Sequence, residues 1–235
     1  MYAEPDEDGL RRCPVCRRVE RPFERAVAYG SYDGALRELI HLLKYNGVRP
    51  AAKVLGRMLA DAVSTLDSSF EQEHVLAIPV PLFRGKRRQR GFNQAEMILR
   101  EAARVTSAKT RFELATDILA RVRDTHSQIG LTSHQRRENM RGAFQVMRAG
   151  KVNGREVLLV DDVYTTGTTV SECAKVLRRA GAHTVRVATV ARTLKMASKY
   201  AEAEPNKAAE AGFKVSEFQD FKDGSPSAEL ATLKP

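Results

Sequence analysis

An apolar run, Val157-Leu158-Leu159-Val160, passes without a break into two carboxylates, Asp161 and Asp162, then Val163 and Tyr164, then the turn Thr165-Thr166-Gly167-Thr168-Thr169. No other stretch restricts the fold as tightly. The run is short, apolar and bounded, so it reads as a buried strand. Thr168 to Ala180 has helical spacing and stops at Gly181, and Val185 to Val190 reads as another strand. Strand, helix and strand in that order imply a right-handed crossover in a parallel sheet covered on both faces. The expected fold is therefore α/β, with a central, mostly parallel sheet flanked by helices.

The remaining elements fit that frame. Asp33 can cap a helix whose apolar residues Leu36, Leu39, Ile40 and Leu43 share a face, and Asn46-Gly47 supplies its stop. Pro50 opens a second amphipathic helix through Ala62. Val75 to Val80 reads as a buried strand ending in a Pro79-Val80-Pro81 loop, followed by a basic loop, Arg84 to Arg90. Phe92 to Val105 marks a third helix, with Asn93 as its cap. The polar stretch from Arg121 to Met140, holding His126 and His134, reads as a long lid-like loop and a short helix. Residues 1–30 are expected to form an N-terminal segment, 31–194 the main domain, and 195–235 a disordered or loosely docked tail, rich in Ala, Glu and Lys.

Bulk properties set limits on function. The net charge of +10 favours polyanionic partners, either nucleic acid or small phosphorylated molecules. No run approaches the ~20 apolar residues of a membrane span. The acidic start, Met1 to Leu10, lacks the features of a secretory signal, and three cysteines suit a reducing compartment, so a cytoplasmic location is expected.

The chemistry concentrates at the strand-to-helix turn, because ligands of open α/β sheets bind beyond the carboxyl ends of the strands. Thr165 to Thr169 can aim backbone N–H groups and hydroxyls inward, with the positive end of a helix behind them, which suits a phosphate; Gly167 allows close approach. Asp161 and Asp162 would repel that phosphate. They are expected to face sugar hydroxyls, or Mg²⁺ through water. Neither a P-loop nor a Gly-x-Gly-x-x-Gly fingerprint is present. Cys13-Pro14-Val15-Cys16 has the spacing of a zinc knuckle, yet a structural zinc takes four ligands, so the pair is half of a Zn²⁺ site or simply a free pair. Cys173 falls on the apolar face of its helix.

At this point the chain resembles the type I phosphoribosyltransferases, whose motif for phosphoribosyl pyrophosphate (PRPP) is a hydrophobic strand, two acidic residues and a Thr-Gly-Thr-Thr type loop. More narrowly it resembles their ComF group, through Leu43-Lys44-Tyr45-Asn46-Gly47, Pro79-Val80-Pro81-Leu82, Arg90-Gly91-Phe92-Asn93-Gln94-Ala95, and Gln128 to Leu131 leading to Arg137-Glu138-Asn139 and Gly142-Ala143-Phe144. The resemblance implies a PRPP site made of Asp161, Asp162, Val163, Tyr164, Thr165, Thr166, Gly167, Thr168 and Thr169. Within it the aspartates are the ribose and Mg²⁺ carboxylates. It also implies a pyrophosphate side drawn from Lys44, Pro79, Val80, Pro81 and Arg90, although Lys44 by its position at a helix end reads first as a partner of the helix dipole only.

Relatives carry two cysteine pairs, so here one pair has been lost, the start at Met1 lies too far downstream, or two chains share a metal. The implied activity is a Mg²⁺-dependent glycosyltransferase reaction of nucleotide metabolism: transfer of phosphoribosyl to a nitrogen acceptor with release of pyrophosphate. The alternative is a non-catalytic protein of competence and DNA uptake, binding nucleotide or single-stranded DNA through Arg84 to Arg90 and the Cys13/Cys16 knuckle.

Overall fold

The computed structural model describes residues 21–105, 112–125 and 133–193. The expectations for Cys13, Cys16, His126, Gln128, Leu131 and the tail after Lys195 lie outside the described residues. In chain order the elements are β1 (Arg25–Ser31), α1 (Gly34–Asn46), α2 (Ala51–Ser64), β2 (Val75–Pro79), α3 (Arg84–Arg90), α4 (Gln94–Val105), β3 (Phe112–Leu114) and β4 (Leu119–Arg121). They continue with α5 (Ser133–Met140), β5 (Phe144–Val146), α6 (Ala149–Val152), β6 (Glu156–Tyr164), α7 (Thr168–Arg179) and β7 (Thr184–Arg192).

A five-stranded sheet runs in the order β1-β7-β6-β2-β3, and every neighbouring pair in it is parallel. β4 and β5 form a separate antiparallel pair. The α/β expectation is borne out, and the central strands β2, β6 and β7 are buried nearly throughout. Alternation along β6 sends Val157 and Leu159 to one face, where they meet Val170, Cys173 and Leu177 of α7 and Met140 and Phe144. Leu158 and Val160 go to the other face, against Ile40 and Leu43 of α1, Leu55 and Leu59 of α2, and Ile98 and Leu99 of α4. Cys173 is fully buried in the first of these cores, as its helical position predicts.

Local signals explain most boundaries. Gly47 ends α1 in the left-handed region at φ 66°, its N–H returning to Leu42. Asn93 caps α4 as predicted: its Oδ1 accepts from Ala95 N at 3.1 Å, while its Nδ2 donates to Val80 O at 3.0 Å. Asp33 takes the cap position of α1 without making a side-chain bond there. The basic stretch is corrected from loop to helix. Phe83 precedes it in an extended conformation, and Gly91, at φ 82°, closes it with an N–H to Arg87 O. It buries none of its residues. β1 was placed by sequence in the N-terminal segment, yet it pairs along β7 from Arg25 to Ser31.

α2 and α4 approach closely at Gly56. A Cβ there would come within 2.5 Å of Glu101 Cβ and 2.9 Å of Ala102 N. These are the partner helix's first side-chain carbon and backbone, which cannot rotate away. Gly56→Ala is therefore expected to force the helices apart and cost about 1–3 kcal/mol, read as a lower urea midpoint at unchanged slope.

Candidate functional site

β2 and β6 run side by side only as far as Pro79 and Val160, the last contact being Val80 N to Val160 O at 2.8 Å. There β2 turns away through Pro81. β6 does not stop at Val160 as its sequence predicts; it continues to Tyr164 because β7 stays beside it as far as Arg192. From Asp161 onward β6 has therefore lost its β2 neighbour, at the carboxyl edge of the sheet where both aspartates lie.

Successive side chains of a strand leave opposite faces, and the surroundings of the two carboxylates agree. Asp162 is buried and its Oδ2 lies 2.9 Å from Lys44 Nζ, at the last turn of α1. Asp161 lies in the field of Arg121, from β4, and of Cys173, from α7. Its Oδ1 accepts the Asp162 N–H at 2.9 Å. Burial first, and then the adjacent Asp162, push the Asp161 carboxyl up to about 7, against the pull of Lys44 and Arg121. Burial alone would lower the Lys44 ammonium, but Asp162 outweighs it and holds the group above its ordinary value. Lys44 thus does more than meet a helix dipole. It is the internal counter-ion of the second aspartate.

The turn follows at once. Gly167 adopts φ 75° and leads into α7, whose first helical bond runs from Ser171 N to Gly167 O at 2.9 Å. Thr166 and Thr168 join hydroxyls at 2.8 Å, Thr165 is exposed, and Thr168 is buried. Gly167, at the cap position of α7, makes no side-chain cap bond to that helix. Thr193 ties the base of the turn down, donating its N–H to Tyr164 O at 3.0 Å. A Cβ on Gly167 would collide with Tyr164 Oη and come 2.6 Å from Tyr164 Cζ. Gly167→Ala is expected to cost about 1–3 kcal/mol, from the left-handed backbone and that collision, measured by urea unfolding of the ligand-free chain.

The structure brings most of the sequence candidates to this edge. Asp161 to Thr169 run from the end of β6 into α7, Lys44 meets Asp162, and Pro79 and Val80 pair with Val160 just before the aspartates, with Pro81 next in the chain. Arg90 stands one step back, donating to Gln94 Oε1 at 2.6 Å and covering the exposed ring of Tyr45 at 5.7 Å. Gln94 and Asn93 are buried beside it, which ties the Arg-Gly-Phe-Asn block to the Val80 loop. Arg121 was missed from sequence. Its guanidinium bonds Thr125 Oγ1, packs over Phe144 at 5.6 Å, and is drawn below its ordinary value, chiefly by burial. It lies on a three-residue strand, too short to show a period. Among the described residues, no group of three or more His, Cys, Asp or Glu gathers as a metal cage.

Residues 90–224 match the family described as the phosphoribosyl transferase domain. The DNA utilization protein YhgH of Escherichia coli O6:H1 is 34% identical over 183 residues, covering 77% of this chain and 78% of that protein. The chain belongs to the ComF family of phosphoribosyltransferase-like proteins. Competence protein F of Haemophilus influenzae is 32% identical over 77% of this chain and 79% of its own length. Competence protein ComFC of Bacillus subtilis is 24% identical over 64% of this chain and 57% of its own. The blocks that mark the ComF resemblance include the Lys44 turn, the Pro79 loop and the Asn93 cap, which meet Asp162, Val160 and Val80 respectively.

Proposed function

We propose that this ComF-family chain binds PRPP at the carboxyl edge of β6, with the 5-phosphate on Thr165 to Thr169 and the ribose hydroxyls on Asp161 and Asp162. The observation that carries the reading is that β2–β6 pairing ends at the residue before the two carboxylates, so that the acids and the Thr/Gly turn follow one another at an edge of β6 that β2 no longer covers. Val163 and Tyr164 link the two parts. Lys44, Pro79, Val80, Pro81 and Arg90 form the pyrophosphate side. The domain division near residues 30 and 195 and a cytoplasmic location are part of the same reading.

The two carboxylates fit Mg²⁺. Both are hard oxygen donors; Asp162 is buried against Lys44, and burial first and then Asp162 push the Asp161 carboxyl up, so the pair lacks positive charge that Lys44 only partly supplies. When bound, Mg²⁺ would neutralise charge on the pyrophosphate. The chain's residues position and polarise. A nitrogen acceptor bonds to C1 of the ribose as the C1–O bond to pyrophosphate breaks; pyrophosphate departs with the bonding electrons, and the acceptor's proton passes to solvent. The phosphate turn holds one end of the sugar, Asp161 and Asp162 hold its hydroxyls, and basic groups receive the leaving charge. Zn²⁺ at Cys13 and Cys16 is a separate proposal, concerning residues outside those described.

Thermal unfolding tests the reading. PRPP with Mg²⁺ at 100 times its dissociation constant should stabilise the native chain by about 2.7 kcal/mol, raising its midpoint by several degrees; no rise at millimolar PRPP would sink it.

A second reading is favoured by α3. Arg84, Lys86, Arg87 and Arg88 are exposed on it, and Arg90 backs the ring of Tyr45, which is 70% exposed. Cations beside a free ring suit single-stranded nucleic acid, and two relatives carry the names DNA utilization protein and Competence protein F. Binding of an oligonucleotide would fall steeply with salt, whereas PRPP binding would depend on the aspartates.

A further inference from the structure

α1 is seated on the sheet so that one lysine meets one aspartate. Leu158 and Val160 leave β6 on the face that packs against Ile40 and Leu43 of α1. Asp162 is the next residue on that face, just past the end of β2 pairing, and Lys44 follows Leu43 in the last turn of α1. The packing that buries Leu43 therefore brings the Lys44 ammonium to 2.9 Å from Asp162 Oδ2.

The two cations near the acidic pair are held differently. Arg121, in the field of Asp161, is fixed by its bond to Thr125 Oγ1 and by the Phe144 ring against its guanidinium. Among the described residues, Lys44 has Asp162 as the one ion-pair partner of its ammonium. The lysine side chain keeps 16% of its surface exposed against 6% for the aspartate, and Tyr45 beside it is open to solvent. The ammonium thus has a way out to water that the carboxylate lacks. An ammonium on a four-carbon stem is a point charge with rotatable donors, able to exchange one partner for another without moving the backbone.

A buried carboxylate needs a cation against it, because leaving it bare is costly. The cation need not be the same one in every state. Mg²⁺ and an ammonium on the same oxygen repel one another, so one must leave for the other to enter.

We propose that Lys44 is an exchangeable counter-ion: it closes Asp162 against Mg²⁺ in the free chain and turns to the pyrophosphate of the arriving ligand, so that Mg²⁺ and PRPP enter together. The proposal rests on the PRPP reading above. It gives Lys44 two partners in succession. It also makes the metal affinity of the free chain a property set by α1 as well as by the aspartates.

The test uses the full-length chain and calorimetric titration at constant ionic strength, with Mg²⁺ alone and then with PRPP at low and at saturating Mg²⁺. Lys44→Met keeps most of the stem and removes the charge. It should bind Mg²⁺ alone about 10-fold or more tightly than the native chain does. By linkage, the factor by which saturating Mg²⁺ tightens PRPP binding should shrink to a similar extent. Lys44→Arg keeps a cation on Asp162 and should bind Mg²⁺ alone no more tightly than the native chain. Adding Asp162→Asn to Lys44→Met should abolish the gain. Should Lys44→Met not fold in metal-free buffer, its circular dichroism on addition of Mg²⁺ becomes the readout: recovery of the native spectrum is the expected result, and no recovery overturns the proposal.

Unchanged or weaker binding of Mg²⁺ alone in Lys44→Met would overturn the exchange and leave the PRPP reading standing, because a lysine that is only a structural prop gives that pattern. A gain that survives Asp162→Asn, or that Lys44→Arg shares, would overturn it too. Failure of the native chain to bind PRPP would overturn the reading on which the exchange rests, and the proposal with it.

Discussion

Glu156→Ala is expected to destabilise the protein by about 3–5 kcal/mol, the largest stability effect of any single side chain considered, because it breaks a buried pair by removing one partner. Glu156 begins β6 at the edge opposite the aspartates and is fully buried. Its Oε2 accepts the N–H groups of Glu71 at 2.9 Å and Gln72 at 2.6 Å. Its Oε1 accepts from Arg186 Nη1 at 2.8 Å and, more weakly, from Thr184 Oγ1 at 3.3 Å. Arg186 is itself buried, covered by the Phe70 ring at 4.7 Å and paired outward with Glu24. Alanine would leave the buried Arg186 guanidinium with only Thr184 Oγ1 and the outer Glu24 to meet it, and would strip the Glu71 and Gln72 N–H groups of their acceptor.

The same carboxylate sets an acid limit. Burial would push Glu156 up, but the Gln72 and Glu71 N–H groups and Arg186 outweigh it and hold the carboxyl below its ordinary value. A group depressed in the folded state adds stability above its unfolded value and loses that addition as pH falls through the folded one. Denaturation midpoints should therefore drop as pH is lowered below the ordinary carboxylate range, and the drop should be shallower in Glu156→Gln. A midpoint in Glu156→Ala within 1 kcal/mol of the native protein, after conversion, would contradict this account.

How much of this is legible in sequence differs from element to element. β2, β6 and β7 are apolar runs buried on both faces, so composition alone reveals them. β1 is not: Arg25-Ala26-Val27-Ala28-Tyr29-Gly30-Ser31 lies at the sheet edge and half of it faces solvent, which leaves no clean alternation. β3, β4 and β5 have three residues each, fewer than any period needs. Arg84 to Arg90 has no apolar face, and its helix is set by Phe83 and Gly91 instead. The candidate site was legible because its residues are contiguous in β6 and the turn. Lys44 and Arg121 come from distant parts of the chain, and only folding shows that Lys44 pairs with Asp162 or that Arg121 acts on Asp161.

The second large effect concerns Asp161→Asn with Asp162→Asn. The amides keep the shape of the carboxylates, so the strand and its pairing with β7 should persist, and the repulsion that lifts Asp161 disappears. What is lost is charge. Two charge-assisted contacts to ribose hydroxyls or to Mg²⁺, at about 1.5–3 kcal/mol each, place the expected loss of PRPP affinity at about 100-fold or more. Lys44 loses its counter-ion in the same variant and becomes free to meet pyrophosphate, so the loss should be greater for ligands that carry ribose than for pyrophosphate alone.

The most direct measurement is isothermal calorimetry of PRPP with Mg²⁺ against the native chain and against this double variant, each shown to be folded by circular dichroism. A saturable heat in the native protein that vanishes in the variant is the result predicted here; no binding by the native chain, or equal binding by both, would contradict the assignment of the sheet edge at Asp161 and Asp162 as a PRPP site.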